Sequence, residues 1–182
     1  MRLTLKPHPE TPCAAVREIA VEVTRKGMAL TLRFALNGEV GAVAFPEWRE
    51  AARADDLWRR TCFEAFVGDV GGPGYAEINL SPSNQWAIYA FDGYREGMQS
   101  VDGVERRAVE RDTTADRFLL ATTLDLDRLT ILPATAPWRL GLSAVIELKD
   151  GSKSYWALTH APGQPDFHHP DAFAAVLPPE SP

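Results

Sequence analysis

Period-2 alternation governs this chain almost from end to end, and it restricts the fold more than any other feature. In "VREIAVEVTRKG", Arg17, Ile19, Val21 and Val23 alternate with Val16, Glu18, Ala20 and Glu22. In "MALTLRFALNG", Met28, Leu30, Leu32, Phe34 and Leu36 alternate with Ala29, Thr31, Arg33 and Ala35. Successive side chains of a strand point to opposite faces, so this pattern marks half-buried strands. "RKG" between the two segments reads as a hairpin turn, as does "KDGS" between "PWRLGLSAVIEL" and "KSYWALTHA". Asp150-Gly151 suits a tight turn because glycine tolerates positive φ and an Asp side chain bonds its own backbone.

The remaining segments extend the series. "RRTCFEAFVG", "YAEINLS", "WAIYAF", "GVERRAVERD" and "DRFLLATTLDL" are short strand patterns separated by Gly, Pro, Asn and Asp turns. Helix is expected only in two places: one or two turns within residues 46–54, after Pro46, and a turn near Pro170. Many short strands with such punctuation predict an all-β protein, an antiparallel β-sandwich or barrel. The 182 residues suit one domain over 1–182, with Pro-rich ends at about 1–14 and 178–182 expected to be loose.

Charge and motif exclude several functions. A formal net charge of −6 leaves no basic excess to neutralise phosphates, so nucleic acid is not an expected partner. No apolar run is long enough to span a bilayer as a helix, so no membrane partner is expected. The first residues, "MRLTLKPHPETPCAAV", lack a secretory apolar core, and the expected compartment is the cytoplasm. Cys13 and Cys62 are too few and too far apart for a disulfide scaffold or zinc site. "GDVGGPG" precedes a strand rather than a helix, so it is not a phosphate loop, and no Gly-x-Ser-x-Gly elbow occurs. His168 and His169 are adjacent, and on a strand they would point to opposite faces, so no metal site is assigned to them.

The segment "YAEINLSPSNQWAIYAF", residues 75–91, carries the functional signal. Tyr75, Glu77 and Asn79 share one strand face, while Ala76, Ile78 and Leu80 share the other. In "TCFEAFV", Cys62, Glu64 and Phe66 likewise oppose Phe63, Ala65 and Val67. If these strands pair, one sheet face carries two carboxyls, an amide and aromatics. That face is either a solvated exterior or a binding surface. Trp58 just before the first strand and Trp86 just after the turn favour binding. Flat aromatic faces stack on sugar C–H groups while carboxyls and amides bond the hydroxyls. Glu64 and Glu77 could instead form a hydrolytic acid–base pair. A structural domain that docks on another protein is the third reading.

"LWRRTCFEAFVGD", "GYAEINLSPSNQWAIYAFDGYREGM" and "DFHHPDAFAAVL" together resemble bacterial DOMON-like domain proteins. The closer resemblance is to the group labelled UDP-N-acetylenolpyruvoylglucosamine reductase-like, although no flavin-binding motif is visible. The resemblance spans residues 17–177 and is most specific over 58–98. The wider superfamily includes family 9 carbohydrate-binding modules and haem-binding cytochrome domains. It implies a jelly-roll type sandwich with a ligand on a sheet face or at the loop end.

In the sugar modules a Trp before a strand and a Glu six residues later contact the sugar. Trp58 and Glu64 stand at that spacing, with Arg60 between them. Glu77 or Asn79 matches a polar residue on the next strand. A second, C-terminal aromatic completes the sugar sandwich there, and Phe167 and His168 replace it here. The resemblance therefore implies a non-catalytic binding domain for a saccharide or similar polar small molecule. Its expected ligand-binding residues are Trp58, Arg60, Glu64, Glu77, Asn79, Trp86, Trp156, Phe167 and His168. The haem-binding relatives imply an alternative in which Met98 and His160 serve as axial ligands.

Overall fold

In the computed structural model, which describes residues 1–179, the chain is an all-β sandwich. The first strands are β1 (Arg2–Pro7), β2 (Val16–Lys26), β3 (Ala29–Gly38) and β4 (Ala52–Arg53). β5 (Cys62–Asp69), β6 (Tyr75–Leu80), β7 (Gln85–Phe91) and β8 (Gln99–Ser100) follow. β9 (Glu105–Thr113), β10 (Arg117–Asp125), β11 (Trp138–Glu147), β12 (Lys153–Ala157) and β13 (Ala175–Leu177) complete the chain.

One sheet runs β9-β10-β3-β2-β1 and the other β1-β12-β11-β5-β6-β7-β4, with β13 beside β11 and β8 beside β7. Pairing is antiparallel except for the short β4–β7 contact. β1 belongs to both sheets. Leu3 and Leu5 pair with Val21 and Ile19 of β2, and Lys6 and Pro7 then pair with Ala157 and Trp156 of β12.

The core lies between the sheets. Phe34 of β3 and Phe118 of β10 meet Phe63 of β5, with ring centroids 5.1 and 5.8 Å apart. The alternation holds at the predicted parity. Ile19, Val21, Val23, Leu30, Leu32 and Leu36 are buried inward, as are Phe63, Ala65, Val67, Ala76, Ile78 and Leu80. The hairpin turn after Leu148 forms as predicted. Gly151 has φ +87°, its N–H donates to the Leu148 carbonyl at 2.9 Å, and Asp150 Oδ1 accepts from Ser152 N–H.

Two expectations are corrected. The N-terminal segment is not loose, because it supplies the strand that joins the sheets. The Met1 ammonium donates to the Val23 carbonyl at 2.6 Å, Leu5 is buried, and His8 N–H donates to Tyr155 O at 2.7 Å. Residues 46–54 form no helix. Arg49 N–H is taken by Ser83 O and Ala54 N–H by Trp86 O, while Ala52 and Arg53 pair along β7. So short a segment gains little from helix formation alone, and the open edge of β7 offers its backbone partners at once. The helical turns are instead 3-10 turns at Val40–Ala42, Leu57–Arg59 and Pro170–Ala172, the last where expected. Of the Pro-rich end, residues 180–182 lie outside the described residues.

Candidate functional site: a roofed carboxyl pair on the outer sheet face

The register of β5, β6 and β7 assembles the site. Glu64 pairs directly with Asn79, and Phe66 with Glu77, so the two glutamates are diagonal neighbours on one face. Such neighbours have Cα atoms about 7–8 Å apart, within reach of one ligand. Tyr89 of β7 pairs with Glu77, and Ser143 of β11 with Glu64. This is the outer face of the second sheet, away from the core.

A solvated exterior would leave these groups wet, and the structure does not. Glu64 is 2% exposed, Glu77 7% and Asn79 1%. Residues 164–173 lie across the face. Phe173 packs edge-on against Phe66 and Tyr75. Gly141 permits the approach, since a Cβ there would stand 3.1 Å from the Ala172 carbonyl oxygen. Asp166 accepts from Arg95 Nη2 at 2.7 Å and from the Tyr94 hydroxyl, which pins the segment to the loop after β7.

Between sheet and roof is a cavity of about 830 Å³. Its floor is the outer sheet face, with Glu64, Phe66, Glu77, Phe91, Val145 and Tyr155. Trp58, Arg95, Met98, Glu10, Phe167 and His168 complete the lining. Trp58 is about half exposed, so it forms rim rather than floor.

The floor is a connected polar network. Asn79 Nδ2 donates to Glu77 Oε1 at 2.7 Å, and Ser143 Oγ donates to Glu64 Oε2 at 2.9 Å. Tyr75 Oη lies 2.7 Å from His168 Nδ1 and accepts from Arg95 N–H at 3.2 Å. His168 Nε2 is 3.6 Å from Glu77 Oε2. With Tyr75 donating to Nδ1, the proton of a neutral His168 sits on Nε2 and faces Glu77.

Burial sets the protonation states. It raises the Glu64 carboxyl from 4.5 to about 8, helped by the Glu77 charge and opposed by the Ser143 bond. It also raises Glu77, against the Asn79 bond and the Arg95 charge. Burial and then the Arg95 charge lower His168 to about 4, against the pull of Asp166. At neutral pH, Glu64 is therefore largely protonated and His168 neutral.

Trp58, Glu64, Glu77, Phe167 and His168 all line the cavity, and Asn79 sits directly behind Glu77. Three expected residues are not brought there. Trp86 pairs with the inward-facing Leu80 and packs on the core side. Trp156 pairs with the core residue Ala144 and is itself buried in the core. Arg60 is exposed and pairs with Glu147. Alternation explains both tryptophans: Ala87, Tyr89 and Phe91 share the outer face of β7, which turns Trp86 inward. In β12 the outward neighbour of Trp156 is Tyr155, and it is Tyr155 that lines the cavity. Phe91 and Ser143 were also legible from parity. Arg95 and Glu10 are loop residues with no such signal.

The axial pair that haem would require does not assemble. Met98 lines the cavity, but His160 does not; its Nε2 lies 2.9 Å from the Lys6 carbonyl oxygen and its ring packs edge-on against His8. Among the described residues, no group of three or more His, Cys, Asp or Glu side chains could hold a metal ion.

No family model and no curated protein matches the chain. Among solved structures, a candidate carbohydrate-binding protein from Bacteroides uniformis has a TM-score of 0.63 at 13% identity, over 94% of this chain and 83% of that one. The chain thus shares that protein's β-sandwich fold. More distant is a family 9 carbohydrate-binding module from Caldicellulosiruptor kristjanssonii in complex with glucose. It has a TM-score of 0.45 and 9% identity over 80% of this chain and 69% of that one.

Proposed function

We propose that the protein is a non-catalytic binding domain of DOMON-like type that takes a saccharide of one or two residues in the roofed cavity. The observation that carries this reading is the buried Glu64–Glu77–Asn79 group at the floor of an 830 Å³ cavity with aromatic walls. That volume falls within the range of small-ligand pockets, and apolar walls with a few convergent polar groups are their usual make-up. Phe91, Tyr155 and Phe167 offer faces for sugar C–H groups, while Glu64 and Glu77 offer hydroxyl partners. The Bacteroides protein with the same fold supports the ligand class. Two free thiols, Cys13 and Cys62, support a reducing compartment such as the cytoplasm.

The placement of the two carboxyls favours binding over hydrolysis. Glycoside hydrolysis places its carboxyls on either side of the scissile bond. Glu64 and Glu77 stand side by side on one wall, and Ser143 and Asn79 each occupy one of their oxygens.

Calorimetric titration against a panel of mono- and disaccharides tests the proposal. Wild type should bind at least one. Trp58→Ala should weaken that binding, and Glu77→Gln should weaken it by about 1–3 kcal/mol, the range for losing a charge-assisted hydrogen bond. A wild-type protein that binds none of the panel refutes the reading.

A further inference from the structure

Acidic side chains outnumber basic ones around the cavity. Glu10, Glu64 and Glu77 line it, and Arg95 is the one Lys or Arg side chain on its walls among the described residues. Arg95 is already engaged, with Nη2 2.7 Å from Asp166 Oδ1. His168 faces Glu77 as a neutral ring. Glu64 has no cationic partner within 4 Å among the described residues. It is 2% exposed and lines the cavity, and only its Oε2 is hydrogen-bonded, to Ser143.

Buried carboxylates are ordinarily paired with a cation, because burial without one is expensive. Here two neighbouring carboxyls share a buried sheet face, and each is held toward its neutral form by burial, Glu64 also by its neighbour's charge. A bound cation relieves both effects. A compact ammonium offers three donors, and the open Glu64 oxygen and Glu77 Oε2 belong to diagonal neighbours on one sheet face. Phe66, Phe91, Tyr155 and Phe167 line the same cavity, and aromatic faces attract a desolvated ammonium.

We propose that the ligand carries a primary ammonium group seated between Glu64 and Glu77, so that the preferred saccharide is an amino sugar with a free amine. The identity as a sugar rests on the function proposed above, while the ammonium rests on the uncompensated carboxyls.

Four probes separate the two. Glucosamine, glucose, N-acetylglucosamine and cyclohexylammonium are titrated into wild-type protein by calorimetry at pH 7. Glucosamine should bind at least tenfold more tightly than glucose or N-acetylglucosamine. Glu64→Gln and Glu77→Gln, each shown to be folded by its melting transition, should cut that preference to under threefold. Equal or tighter binding of glucose or N-acetylglucosamine overturns the ammonium inference and leaves the saccharide reading standing. Binding of cyclohexylammonium with none of the sugars upholds the ammonium site and overturns the saccharide reading. Binding of none of the four overturns both. Retention of the full preference by both variants also overturns the proposed seat.

Discussion

Replacing Glu64 by Gln should stabilise the protein, and more so at higher pH. Burial raises this carboxyl from 4.5 to about 8 in the fold. Between those values the folded chain holds a proton that the unfolded chain has lost. Folding is therefore fully favoured below about pH 4.5 and progressively penalised as pH rises towards 8. At about 1.36 kcal/mol per pH unit, the penalty approaches about 3 kcal/mol at pH 7 and about 5 kcal/mol at pH 8 and above. Gln has nearly the same shape, can accept from Ser143 Oγ, and never ionises. It also removes the like charge beside Glu77, which acts in the same direction. His168 works on the acid side: burial lowers it from 6.5 to about 4, so its contribution is lost as pH falls through that window, by about 3 kcal/mol. That loss is common to both proteins and cancels in the difference. Urea unfolding of wild type and Glu64→Gln at pH 5, 7 and 9 reads the difference directly. The gap should be under about 1 kcal/mol at pH 5 and several kcal/mol at pH 9, with the variant the more stable. A gap that stays constant from pH 5 to pH 9 would refute the inference that Glu64 is buried as a neutral acid.

Two further substitutions probe the scaffold. A Cβ added at Gly151 meets no atom within 4 Å, so the cost of Gly151→Val is chiefly that of φ +87°, about 1–2 kcal/mol, visible as a lower melting temperature. Gly141→Val places side-chain atoms against the Ala172 carbonyl and Phe66 and should cost about 1–3 kcal/mol through overpacking. Amide hydrogen exchange should then quicken across 164–173 while the β2–β3 hairpin keeps its protection, and uniform loss of protection would count against a local roof.

Alternation made most of the sandwich legible, because a strand half-buried on the core fixes which side chains turn inward. The same parity put Glu64, Glu77 and Asn79 on one outer face, where the structure places them. It failed where a tryptophan was weighed for its chemistry instead of its position, as with Trp86 and Trp156. It also could not show that β1 spans both sheets, since two-residue pairings such as Lys6 and Pro7 with β12 leave no periodic trace. The segment after β12 was legible only as turns, and its contribution to the site comes from long-range contacts. Asp166 with Arg95, and His168 with Tyr75, join residues 71 and 93 positions apart.

That roof is what turns a sheet exterior into a site. On an open face, Glu64 and Glu77 would be solvated, would ionise at ordinary pH, and would bind a hydroxyl no better than water does. Under the roof they lose most of their contact with bulk solvent, and an unmade hydrogen bond at a buried group is costly where one in solvent is nearly neutral. The chain positions them from rigid neighbouring strands, so little ordering remains to be done when a ligand arrives. The roof is fastened by the ion pair of Asp166 with Arg95 and by His168, a neutral ring bonded to Tyr75 beside Glu77. Arg95 thereby holds the segment closed and is paired with Asp166, which leaves the floor carboxyls without a salt-bridge partner of their own from Lys or Arg. One ion pair thus connects closure of the face with the charge selectivity proposed for its ligand.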